Sequence, residues 1–304
     1  MIDRHRWQHH SRRNFWHSAL LLLAMGGFLA LLGWVLAGSA GLWGLLVIGS
    51  LLWLFRGAVS PWMVMSMYQA RPLAMSRFPA LAQLVAQLSR SAGLPVVPQL
   101  FLLPHPLPNA FAVGSAERPL IALTEGALQQ LQWRELAGVL AHEISHIRSN
   151  DLQVMGLADL FSRGTSLLST LGQLLLLLNL PLWLFGWVSI NGWAILLLLL
   201  APLLSTLAQL ALSRTREYDA DLHAVQLTGD PEGLASALSK IERHQQGWLR
   251  RLWLPAQRVP MPSALRTHPD TSQRINRLMA LKSRPDYDAS DKRAMAGIHH
   301  GYWR

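Results

Sequence analysis

Two histidines and a glutamate stand at positions 142, 143 and 146 as His142-Glu143-Ile-Ser-His146, the pattern H-E-x-x-H. On a helix, residues four apart share one face, so His142 and His146 can offer two imidazole nitrogens to one metal ion. Glu143 projects about 100° further round, where it can take a proton from an activated water without being forced to ligate. The chain contains no cysteine, which excludes disulfides and thiolate ligands and leaves histidine and carboxylates as the donors for zinc. Such a triplet also arises by chance in helices, so its weight depends on whether the chain supplies a third ligand.

One later stretch can supply it. Leu212 to Ala224 is helical by pattern and places Glu217 and Asp221 one turn apart on one face. That spacing suits a ligating carboxylate followed by a second that accepts an N–H from a ligating histidine. Asp219 and His223 are rival ligands, and Arg214 and Arg216 could equally neutralise an acidic helix face. Periodicity alone does not rank them.

These residues need elements to hold them. Leu136, Val139, Leu140 and Ile147 recur at helical spacing around the motif, and no proline interrupts it. Upstream, Phe78-Pro79 opens a helix through Leu88 that stops at Ser91-Ala-Gly93, and Pro95 to Leu103 reads as a strand. Pro108 to Gly114 has the small residues and bounding Pro and Gly of an edge strand, with Pro119 to Leu123 as its partner. Thr124 caps the next helix, which has Glu125 in its first turn. An extended peptide can add to such an edge through its backbone alone, although on pattern alone the reading of Asn109 to Gly114 as a mere surface hairpin wins. Further on, Leu234 to His244 is an amphipathic helix, Ser263 to Asp270 a loop and Thr271 to Leu281 a last helix.

The 304 residues are 51% hydrophobic and 14% charged, and the apolar ones are concentrated. No charged residue separates Arg13 from Arg56 or Arg163 from Arg214. A membrane span needs about 20 apolar residues, so each stretch accommodates a helical hairpin that crosses twice. The first pair is Phe15 to Ala37 and Leu42 to about Ser60, turning at Gly38-Ser-Ala-Gly41. The second is Thr165 to Trp187 and Trp193 to Leu212, turning at Ser189 to Gly192, where Pro181 and Pro202 allow kinks or re-entrant segments. Arg4, Arg6, Arg12, Arg13, Arg56, Arg71, Arg77, Arg163 and Arg214 all flank the base of these hairpins, and neither tip is charged. Both termini and every charged segment are therefore expected in the cytoplasm. Ala37-Gly-Ser-Ala40 mimics a signal-peptide cleavage site, but the apolar run before it is too long and a second span follows at once.

A net charge of +10 raises the question of nucleic acid. The basic residues are spread along the cytoplasmic segments without interleaved aromatics, so anionic lipid headgroups account for the charge and no nucleic-acid partner is expected. Six of the 13 tryptophans, Trp43, Trp53, Trp62, Trp183, Trp187 and Trp193, fall near span ends, as interfacial belts require. A transporter would place ionisable residues at the middle of its spans, and the middle of these has none.

Four separated blocks together resemble one family, the membrane-bound zinc metalloproteases of the HtpX type, which are related to the CAAX prenyl proteases. They are Asn109-Ala-Phe-Ala-Val-Gly114, Val139 to Asp151, Ser213 to Asp221 and Thr267-His-Pro-Asp-Thr-Ser-Gln-Arg-Ile275, and the likeness runs from about Ser66 to Leu278. The resemblance implies His142, His146 and Glu217 as ligands of one zinc ion per chain, Glu143 as catalytic base and Asp221 behind the ligands. It further implies Asn109, Ala110, Phe111 and Ala112 as the substrate strand, with His268 and Arg274 near the reacting carbonyl. The expected fold is α+β and mainly helical, with about four transmembrane helices and a cytoplasmic zincin-like domain containing a small sheet. Its segments are 1–62 (basic N-terminus and first hairpin), 63–163 (H-E-x-x-H half), 164–212 (second hairpin), 213–282 (half with the third ligand) and 283–304 (mobile tail). The expected activity is a metalloendopeptidase of the H-E-x-x-H-plus-Glu type in a bacterial inner membrane, acting on misfolded membrane proteins. A CAAX-type processing protease would need a larger intramembrane chamber than four spans provide. A non-enzymatic scaffold that keeps zinc for structure would have no use for Glu143. The His-rich N-terminus and the tail lie outside the family pattern, and oligomeric state is not legible.

Overall fold

A computed structural model of the chain describes residues 4–54, 60–187, 189, 191–251 and 271–281. Among the described residues, three helices are long and apolar enough to cross a membrane, over Asn14–Leu51, Asp151–Leu184 and Gly192–Thr228. The first lies in α1 (Arg4–Leu54), which leaves helical geometry at Ala37 and Gly38, the latter at φ +57°. Glycine is the residue that takes this conformation without steric cost. The bend brings the backbones of Gly33 and Gly41 together: a Cβ on Gly41 would lie 2.0 Å from the Gly33 carbonyl oxygen. Two expected spans thus meet at a sharp turn, one residue earlier than the sequence pattern placed it.

The second pair differs more from expectation. α6 (Asp151–Leu184) and α7 (Gly192–Thr228) keep Pro181 and Pro202 inside continuous helices. Neither helix is broken at its proline. The expected break between the fourth span and the acidic segment is also absent, because α7 runs through Leu212 and carries Glu217 and Asp221 on the same rod. On α6, Ala158, Ser162, Thr165, Ser169 and Gly172 are buried, and their spacing of three and four marks a single seam. Small residues let helices approach closely where apolar burial gives no advantage over lipid. The Ser169 hydroxyl and the Gln173 amide donate across this seam to the Leu198 carbonyl at 2.5 and 3.2 Å.

Outside the bundle lies a four-stranded mixed sheet in the order β1 (Arg71–Pro72), β2 (Gln99–Leu103), β4 (Leu120–Thr124), β3 (Ala110–Val113). β2 and β4 are parallel, and β3 pairs antiparallel with β4 through Ala110 opposite Leu123. β3 is an edge strand, as its composition indicated. The short β1 went unrecognised, and the strand expected from Pro95 forms only from Gln99. α3 (Pro79–Ala92) ends at left-handed Gly93, and α4 (Glu125–Gln130) is capped by Thr124, whose hydroxyl accepts from the Ala127 N–H at 3.1 Å. One face of the sheet packs on α5 (Trp133–Arg148), in a core shared with α3, α8 (Pro231–Arg251) and α9 (Thr271–Ala280). The other face packs Phe101, Leu103 and Phe111 on Met65 of α2 (Pro61–Met67).

Candidate metal centre

The motif helix α5 is set by both ends and by one close approach. Its first turn is a reciprocal cap: the Gln132 side chain accepts a first-turn N–H, and the Gln132 N–H donates to Glu135 Oε2 at 2.7 Å. Glu135 also accepts from the Ser236 hydroxyl at 2.6 Å and Lys240 Nζ at 2.7 Å, which ties α5 to α8. Burial pushes the Glu135 carboxyl up, but these three donors outweigh it and hold the group below its ordinary 4.5. At Gly138 a Cβ would meet the Leu234 backbone at 3.0 Å, so glycine is what lets α8 lie this close.

One turn apart on α5, the His142 and His146 rings meet edge to face, with centroids 4.6 Å apart. Their Nε2 atoms are 3.1 Å apart, and Glu217 of α7 brings Oε2 to 3.4 Å from His142 Nε2 and Oε1 to 3.7 Å from His146 Nε2. A tetrahedral ion with bonds of about 2.0–2.1 Å holds its donors about 3.3 Å apart. The two nitrogens and the Glu217 carboxylate therefore converge, with one ligand atom from each residue within 4.8 Å of the others, and the donor types and their convergence fit a zinc-sized ion. Among the described residues, this is the cluster of His, Asp and Glu that could hold a metal ion.

Carboxylates occupy the far side of both imidazoles. His142 Nδ1 lies 3.0 Å from Asp221 Oδ1, and His146 Nδ1 lies 2.7 Å from Asp151 Oδ2. A proton held on Nδ1 leaves the Nε2 lone pair facing the donor cluster. Burial pulls the His142 imidazolium down, but Asp221 and Glu217 overcome it and raise the group to about 10. The pocket is built to receive positive charge.

Arg274 enters from α9 with 2% of its surface exposed. Its Nε and Nη2 donate to the two oxygens of Asp221 at 2.8 and 2.6 Å, and Nη1 lies 2.8 Å from Glu217 Oε2. Burial disfavours the buried guanidinium, but Asp221, Glu217 and then Glu143 more than compensate and raise its pKa. Glu143 is therefore close enough to act electrostatically on Arg274 and, like His142 and Glu217, is buried, whereas His146 is partly exposed.

The rivals for third ligand fall elsewhere. His223 Nδ1 donates to the Asp219 carbonyl at 2.9 Å, and the Asp219 carboxylate faces Arg216 and His223 at 3.8 Å each. Asp151 was not anticipated. α5 stops after Arg148, Asn150 turns left-handed at φ 52°, and Asp151 returns to the His146 ring. The available signal was an asparagine, a residue that tolerates this conformation, directly before an aspartate. Arg216, the alternative neutraliser of its own acidic face, lies 3.8 Å from Asp219 there and also donates from Nε to Asp151 Oδ1 at 2.5 Å.

Ala110 and Ala112 of β3 share the core that contains Val139 and Ala141 of the motif helix, and Phe111 faces the opposite side. Asn109 is held by Thr124, whose backbone N–H donates to the Asn109 carbonyl at 3.0 Å. Antiparallel alternation then turns the N–H and C=O of Phe111 toward β4 and those of Ala110 and Ala112 away from it. His268 lies outside the described residues.

Comparison with known proteins accords with this geometry. The model for peptidase family M48 matches residues 75–282. A "Protease HtpX homolog" of Paraburkholderia phytofirmans is 33% identical over 298 residues, covering 88% of this chain and 97% of that protein. One of Kineococcus radiotolerans is 36% identical over 296 residues, covering 90% and 98%. One of Pyrococcus furiosus is 33% identical over 287 residues, covering 87% and 94%. Among solved structures, S. mikatae Ste24p is similar at a TM-score of 0.46 and 22% identity, over 88% of this chain and 65% of that one. Matched by the family model across most of its length and by these relatives almost end to end, the chain belongs to peptidase family M48 and is a multi-pass membrane metalloprotease.

Proposed function

We propose that the protein is a zinc-dependent endopeptidase of the H-E-x-x-H-plus-Glu type that binds one zinc ion per chain through His142, His146 and Glu217. The observation that carries this reading is the convergence of the two Nε2 atoms, 3.1 Å apart, with the Glu217 carboxylate, whose Oε2 and Oε1 lie 3.4 and 3.7 Å from His142 and His146. Zinc held there would supply Lewis acidity, activating water near neutral pH and polarising the scissile carbonyl. Glu143 takes the proton of the attacking water and passes it to the leaving amine. Asp221 keeps the His142 Nε2 lone pair turned toward the donors.

The Asn109 to Ala112 edge receives the substrate as an added strand. The outward N–H and C=O groups of Ala110 and Ala112 pair with the peptide backbone, so many sequences are accepted. Arg274 already pairs with Asp221 and Glu217, which supports a role in holding those carboxylates while lending positive charge to the site. His268 is assigned to the developing oxyanion on the family resemblance. Misfolded or damaged membrane proteins are the substrate class, cut at the cytoplasmic face of a bacterial inner membrane. The arginines flanking the apolar helices support that orientation.

The test compares wild type with Glu143→Gln, purified in detergent with chelator and then given zinc back. Both should take up about one zinc per chain, and only wild type should cleave an unfolded substrate, the variant losing about a thousandfold or more. Failure of both proteins to bind zinc would defeat the proposal.

A further inference from the structure

The two histidines are supported from different directions. His142 rests on Asp221 and Arg274, from α7 and α9, whereas His146 rests on Asp151 and Arg216, from α6 and α7. In the second support each Asp151 oxygen has one partner: Oδ2 meets His146 Nδ1 at 2.7 Å, and Oδ1 accepts from Arg216 Nε at 2.5 Å and contacts Nη2. Asp151 is 3% exposed and Arg216 8% exposed, so neither charge is shared with water. Arg216 thus holds the Asp151 carboxylate with Oδ2 turned toward His146.

We propose that Asp151 and Arg216 are positioning residues for the metal centre, and that they join it to the membrane bundle. Asp151 is the first residue of α6, and Arg216 lies on α7 one residue before Glu217. Both helices continue into the bilayer-crossing pair, where they pack on each other. The orientation of His146 thus depends on how α6 and α7 meet where they leave the bundle. A change in their packing reaches the donor cluster through two hydrogen bonds. This inference rests on the zinc reading above.

The experiment measures zinc affinity by competition with a chelator of known affinity, at fixed pH in detergent. It uses wild type, Asp151→Asn, Arg216→Met, Arg216→Lys and the double variant Asp151→Asn/Arg216→Met. Asp151→Asn should weaken zinc binding by about 10- to 100-fold, the range for loss of a carboxylate behind a ligating histidine. Arg216→Met should weaken it by a smaller factor, and Arg216→Lys should recover part of that loss, because a point charge still faces Oδ1.

The double variant separates positioning from bulk stability. It leaves no uncompensated buried charge, so its zinc-free melting temperature should return toward wild type while its zinc affinity stays low. A folded double variant that binds zinc as tightly as wild type overturns the inference, and so does Asp151→Asn with unchanged affinity. Wild type that takes up no zinc overturns the zinc reading itself, an outcome distinct from either.

Discussion

Helix α7 is one continuous rod in two environments. Between Gly192 and Leu212 it presents Leu196, Leu199, Leu200, Leu203, Leu204 and Leu207 outward and buries little beyond Leu198, Ala201 and Ser205. From Leu212 to Val225 the relation inverts, and Arg216, Glu217, Asp219, Asp221 and His223 are all buried. Exposed leucine is stable in the first half because lipid, not water, is its solvent. Buried charge is stable in the second half because other helices bring complementary groups to it: His142 and His146 from α5, Asp151 from α6 and Arg274 from α9. The two halves show that neither hydropathy nor burial alone locates function on such a helix. What marks the site is charge buried together with its partners.

Substitutions in each half should break this contrast in different ways. Glu217→Ala should do most, reducing zinc from about one per chain to near none and cleavage by about a thousandfold or more. Metal analysis with a peptidase assay checks it, and Leu199→Ala on the same helix should change neither. Arg274→Met comes next, since it leaves Asp221 and Glu217 as buried carboxylates without their guanidinium. The cost in zinc-free protein should be about 3–5 kcal/mol, read as a lowered melting temperature that added zinc partly restores. A melting temperature equal to wild type would show that the carboxylates are satisfied without Arg274.

In the lipid-facing half, Leu203→Asp should cost about 2.5–3.5 kcal/mol of insertion energy at mid-helix, measured by glycosylation-based insertion of the α6–α7 hairpin. Leu203→Ile should insert like wild type. The smallest effect is expected at Glu135, a carboxylate that joins two helices of the peptidase core away from both halves of α7. Its pKa is lowered on folding, so its contribution is complete above the ordinary value of 4.5 and fades as pH falls through the folded value. Glu135→Gln should therefore be less stable than wild type at neutral pH, and the gap should close on acidification. Parallel melting curves from pH 7 down to about pH 3 measure it, and a pH-independent gap would remove the ionic part of this argument.

Much of the fold was legible because local chemistry and tertiary demand agree. Thr124 caps α4, Gly93 ends α3, and the small residues from Ala110 form the edge strand, each for the reason their types imply. The misses occur where a long-range partner overrides local pattern. The two-residue β1 exists only because β2 is there to pair with it. The acidic segment was separated from the fourth span because its composition changes at Leu212, but the backbone has no reason to break there, since neither Gly nor Pro intervenes. Asp151 lay within a recognised block without a role, because its partner His146 is reached only after the chain turns at Asn150.

The sequence alone pointed to the histidine pair on α5, to Glu143 beside it, to the apolar helices and to the absence of thiolate chemistry. These follow from residue type and from spacings of three and four along one helix, which depend on no distant contact. The choice of Glu217 over Asp219 and His223 as the carboxylate nearest both histidines required the tertiary structure. So did the pairing of Asp221 with Arg274 and the recruitment of Asp151 and Arg216 behind His146. Which face of α7 meets α5 is set by how helices pack in three dimensions, and a periodic pattern with acidic residues on two faces does not contain that answer.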